Sequence, residues 1–218
     1  MHLRRMNVVI VALGLVLAIA APAAADTGPN QPTTDISRTR VPISFLGDDG
    51  RTYTGEAFFQ RDNLTGSSFA IMFWSWRDLI QCDNGTPEPE DDFEGEELID
   101  FTADNMSSMT YAIASNLSSS TGSATATARR IHTTGCEGTV VENVLETHTL
   151  SFDLAASGPA SRANNRERID NGDGTITTIV TREIHRAGSG SLSLDVAGSV
   201  EPVTAADLAH ITVSETTR

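Results

Sequence analysis

The chain has 218 residues, 39% of them hydrophobic, and 29 acids against 15 arginines give it a formal net charge of −14; it contains no lysine. The missing lysine excludes Schiff-base chemistry, a P-loop and Ser-x-x-Lys sites. The acidic balance repels phosphate backbones and anionic lipid, which argues against nucleic-acid and membrane-surface roles.

Residues 1–25 read as a cleaved signal peptide. Arg4 and Arg5 precede an apolar run over 8–21, and Ala23, Ala24 and Ala25 supply small residues at the cleavage point. The apolar run is short for a membrane anchor, so no membrane span is expected after cleavage and the protein is expected to be secreted. Losing Arg4 and Arg5 takes the formal charge from −14 to −16. Cys82 and Cys136, an even pair in an exported chain, predict one disulfide; their spacing is not the Cys-x-x-Cys of a redox or metal pair.

In chain order, residues 26–40 are polar, without periodicity, and are expected to be a disordered leader to a single domain over 41–218. Strands are predicted over 41–46 and 51–60, joined by the turn Gly47-Asp48-Asp49-Gly50. Residues 69–76, Phe-Ala-Ile-Met-Phe-Trp-Ser-Trp, form the most apolar run of the mature chain. Both period-two faces are apolar, so this strand is expected to be central and covered on both sides.

Residues 83–97, with Pro87, Pro89, Gly85 and Gly95, are expected to be a loop. Strands follow at 98–102, 106–117, 123–133 and 139–156. Residues 161–170 and 175–186 form a hairpin about Asn171-Gly172-Asp173-Gly174. Gly188-Ser189-Gly190 is expected to turn the chain into a strand over 191–196. Residues 204–207 are expected to cap one helical turn, and 210–213 to add an edge strand. Roughly nine to eleven short strands separated by turn signals predict an all-β fold, an antiparallel two-layer sandwich or a closed barrel.

Motifs for catalysis are missing: there is no Gly-x-Ser-x-Gly and no His-Glu-x-x-His. Glu56, Glu142, Glu146 and Asp153 fall on predicted strands, and are expected to face solvent. Ten acids and no base lie between 83 and 104. Asp91, Asp92 and Glu94 are the candidate calcium ligands there, since calcium takes several carboxylate oxygens, although no EF-hand spacing is present. Asp170 to Gly174 resembles a calcium loop only superficially and lacks its closing glutamate.

Trp74 and Trp76 are first of all core residues, and second an aromatic platform for a sugar or another flat ligand. The leading expectation is thus an extracellular binding module without catalysis, its ligand a glycan or a surface. Two alternatives are a secreted hydrolase using strand-borne carboxylates or histidines, and a calcium-stabilised structural protein of the cell envelope.

Overall fold

The computed structural model describes residues 32–82, 93–104, 106–197 and 200–218. Ten strands make one antiparallel sheet. They are β1 (Thr34–Leu46), β2 (Thr52–Asp62), β3 (Ser68–Cys82), β4 (Phe93–Ala103), β5 (Met106–Ile113), β6 (Ser119–Thr134), β7 (Thr139–Ala156), β8 (Ser161–Asp170), β9 (Ile176–Leu194) and β10 (Val200–Thr217).

The sheet closes on itself. β10 pairs with β1 on one side and with β9 on the other, so β10, β1, β2, β3, β4, β6, β7 and β9 form a ring. Of the two predicted architectures, the barrel is therefore the one adopted. β5 continues past β4 along β6, and β8 continues past β7 along β9. An eight-stranded ring is just wide enough for side chains to fill, and here they do: Val41, Phe59, Met72, Trp74, Phe101, Leu150, Leu192 and Leu208 are buried inside. Alternate residues of the ring strands supply this core, as the pleat requires.

The first strand starts earlier than the sequence suggests. Residues 34–40, expected to be disordered, form the first half of β1, between β2 and β10. Their inward residues are polar yet satisfied. Thr39, fully buried, shares hydrogen bonds with Ser120 Oγ at 2.7 Å and Tyr111 OH at 3.0 Å. Burial pushes the Tyr111 hydroxyl up to about 12, so it stays protonated and can donate.

The aromatic run is covered on one face, not two. Ala70, Met72 and Trp74 enter the core, whereas Phe73 on the outer wall is 39% exposed. Phe69 meets Phe58 on that outer wall with ring centroids 5.7 Å apart. A barrel wall has one inside, so the second apolar face stays outside without a covering layer.

Further boundaries differ from expectation. Residues 93–97 belong to β4, not to a loop; residues 83–92 lie outside the described residues. Gly188-Ser189-Gly190 is the interior of β9, not a turn. A Cβ at Gly190 would collide with the carbonyl oxygen of Asp153, and one at Gly188 with Leu208 Cδ1, so glycine lets neighbouring elements approach closely. Residues 204–207 lie in β10, where a register shift between Val203 and Ala206 replaces the expected helical turn. Residues 210–213 lie between β1 and β9, so they are no edge.

On the outer wall of β4, burial raises the Asp100 carboxyl above its ordinary range, and the Thr102 hydroxyl, 3.2 Å away, offsets only part of that. A carboxyl raised in the folded state contributes stability that is present at low pH and lost as pH rises through the folded value. Asp100→Asn is therefore expected to stabilise the protein at about pH 7 and leave it unchanged at about pH 3. The gain should stay under about 1 kcal/mol, since solvent screens a partly exposed group. Thermal midpoints of both proteins at the two pH values check this.

Candidate functional site

β3, β4, β6 and β7 run on beyond the end of β9, which pairs with β7 only from Leu150 to Ala156. Past that point the inward positions keep the alternation of the core but change in chemistry. Leu150 is followed inward by His148, Glu146, Val144 and Glu142 on β7; Ala126 and Ala128 by Arg130 and His132 on β6; Ile99 by Glu97 on β4; and Trp74 by Trp76 on β3. The barrel thus opens at this end into a partly exposed mouth of ionisable groups.

Two bonded chains of side chains organise it. In the first, Arg51 from the β1–β2 turn donates to Glu97 at 2.7 Å, and His132 Nε2 lies 2.8 Å from the same carboxylate oxygen. The Arg51 guanidinium also sits 4.3 Å above the Trp76 ring, a cation–π contact. Asp49 receives the Tyr53 hydroxyl at 2.8 Å and the Arg51 backbone N–H at 3.1 Å. Burial and that hydrogen bond push the Tyr53 hydroxyl up to about 12.

In the second chain, Arg130 donates to Glu146 at 2.9 Å and to Glu142 at 2.8 Å. His148 lies between Glu146, at 3.1 Å, and Asp195, at 2.9 Å. Burial alone would raise the Glu146 carboxyl, but hydrogen bonds with His148 and Arg130 outweigh it and hold the group below its ordinary value. The His148 ring also packs 5.3 Å from Trp74 and 5.1 Å from Phe101, capping the aromatic core where the mouth begins.

The predicted disulfide is present at the rim. Cys82, at the end of β3, bonds Cys136 in the β6–β7 turn, with Cα atoms 5.7 Å apart. The bridge crosses over β4 at Gly95, where a Cβ would sit 2.7 Å from the Cys82 sulfur. A residue with no side chain leaves room for it.

The sequence-predicted residues fare differently. Trp74 is no surface platform: it is 3% exposed and stacks on Phe101 at 4.1 Å, the packing role expected first. Trp76 is partly exposed in the mouth. Asp91 and Asp92 lie outside the described residues, and Glu94 is exposed on β4, opposite Gln81. No group of three or more potential metal ligands occurs among the described residues. The Asp170–Gly174 stretch is a turn in which Asp170 and Asp173 accept backbone N–H groups of Gly172 and Thr175, as the hairpin reading requires. Glu142 and Glu146, expected to face solvent, face the mouth and pair with Arg130. Glu56 pairs with Arg40 at 2.6 Å.

Sequence reasoning missed Arg51, Glu97, Arg130 and His132 as a set. The signal is present: period-two alternation continues from the core, with its inward residues turning from apolar to charged. Read without the fold, such positions resemble a solvent face.

The opposite end of the barrel holds a cavity of ≈ 270 Å³ lined by Asp35, Ser37, Asn63, Ile113, Leu117 and His210 among others. Asp35 there accepts from Asn63 and bonds His210 Nε2, each at 2.7 Å. Leu117, in a left-handed conformation with φ of 56°, is 2% exposed and plugs the core beneath. Comparison with known protein families, curated proteins and solved structures finds no match.

Proposed function

We propose that the protein is exported and acts as an extracellular binding module whose polar mouth takes a neutral glycan. What supports this reading is that Trp76, linked through Arg51 to Glu97, opens into the same partly exposed mouth as the carboxylates of Glu142 and Glu146. An indole ring offers a flat apolar surface for sugar C–H groups, and carboxylates accept sugar hydroxyls. Asp49, Glu97, Glu142, Glu146 and Asp195 outnumber Arg51 and Arg130, so uronate or sulfated glycans are repelled. The Cys82–Cys136 bond is consistent with an oxidising compartment, which supports export.

A glycan array spanning neutral and acidic oligosaccharides tests the reading. Binding to a neutral subset by the wild type, lost in Trp76→Ala, is the expected result. An array without signal, or equal binding by Trp76→Ala, overturns it.

A further inference from the structure

Closing the ring removes most sheet edges, but among the described residues several segments still pair on one side only, among them β5, Val41–Leu46 of β1, β8 and the first part of β7. Among the described residues β8 pairs only with β9, leaving its other side open. β7 pairs with β6 along its whole length but with β9 only over Leu150–Ala156, so among the described residues its segment 139–149 has one open side. Open edges offer unpaired N–H and C=O groups to any extended chain, and proteins commonly blunt them with charges.

The edges of β8 and β7 are treated differently. β8 is exposed on both faces and carries Arg162, Arg166, Glu167, Arg168 and Asp170. Paired antiparallel with a copy of itself about Asn165 it would set Arg162 against Arg168, and about Arg166 it would set that arginine against itself. β7 has no lysine, arginine or proline over 139–149, and its Leu145, at 68%, is the most exposed large hydrophobic residue described.

The direction of the free backbone groups on β7 follows from two bonds. Ala156 N–H points to β6, at Ser118 O, while Thr149 N–H points away from it, to Asp195 Oδ2 at 2.8 Å. Alternation along the strand then aims the N–H and C=O of Asn143, Leu145 and Thr147 at the open side. The straight part of this edge is bounded. Between Glu142 and Val140 the register with β6 shifts by one residue, leaving Val141 extra, and at Thr149 the Asp195 carboxylate occupies the edge. Residues 142–148 remain, and their midpoint is Leu145.

We propose that two copies of this chain pair antiparallel through residues 142–148 of β7, with the two-fold axis at Leu145. The register is self-complementary. On the outer wall Leu145 meets Leu145 of the second copy, and Asn143 meets Thr147. On the mouth side Glu142 meets His148, and Val144 meets Glu146. No like charges stand opposite one another, the requirement for an isologous contact. The joined sheets run β3-β4-β6-β7 from one copy into β7-β6-β4-β3 of the other.

Sedimentation or light scattering over a range of concentrations, together with hydrogen exchange resolved at individual amides, tests this on the full mature chain. The expected result is a concentration-dependent dimer mass, with the amides of Asn143, Leu145 and Thr147 gaining protection as dimer forms. Leu145→Asp should revert the mass to monomer. Its cross-strand neighbour Arg129 favours the new carboxylate within a copy, while two aspartates at the axis repel, and an unchanged circular dichroism spectrum shows that the fold is kept. A monomer at all concentrations, or a dimer whose three amides stay unprotected, overturns the proposal. The first of these outcomes would leave the edge to an extended peptide of another protein.

Discussion

Removing the Cys82–Cys136 bond is expected to lower the free energy of unfolding by about 4 kcal/mol. The bond closes a loop with a sequence separation of 54, and by the chain-entropy argument most of its effect lies in restricting the unfolded chain. Its position adds a local consequence. It ties the end of β3 to the β6–β7 turn across β4, in the part of the sheet where many inward residues are ionisable and the hydrophobic core has thinned. That region should therefore fray first when the bond is cut. Urea unfolding of the wild type and of a Cys82→Ser, Cys136→Ser double variant gives the stability difference, and hydrogen exchange locates it. Coincident unfolding curves would show that the bridge contributes nothing.

Trp74→Ala should cost about 3–5 kcal/mol, the range for deleting a large buried aromatic. The indole stacks on Phe101 at 4.1 Å, meets Phe45 edge-on at 6.0 Å and supports the His148 ring. The void left would open under the mouth, so His148 and its bonds to Glu146 and Asp195 would lose their footing. Trp76→Ala removes a partly exposed ring and should cost much less. Thermal unfolding of the two variants side by side checks the contrast; equal losses would mean that Trp76 is as much a core residue as Trp74.

The all-β class was legible because β-branched alternation is bounded by turn residues throughout. β7 and β8 begin and end where the sequence places them, since Gly158-Pro159 and Asn171-Gly172 leave few alternatives. What the sequence hid has physical reasons. The first half of β1 looks like a leader because its inward residues, Ser37 and Thr39, are polar, and only the distant Asn63, Ser120 and Tyr111 satisfy them. Gly188 and Gly190 look like a turn because glycine signals both a turn and a close approach, and only the neighbouring element decides which. Trp74 and Trp76 share a face in sequence and differ in burial because the packed core ends between them. The mouth was illegible as a set because Arg51, Glu97, Arg130 and Glu146 come from four separate segments that only ring closure gathers.

The seam between β1 and β10 joins the two ends of the described chain: the bond from His210 to Asp35 spans 175 residues. Native assembly therefore waits on the C-terminal strand, and pairings this far apart in sequence are intrinsically slow to form. A chain truncated before Val200 would not make a smaller version of the same molecule. It would leave β1 and β9 with raw flanks, and the resulting open ribbon would be prone to stick to its neighbours.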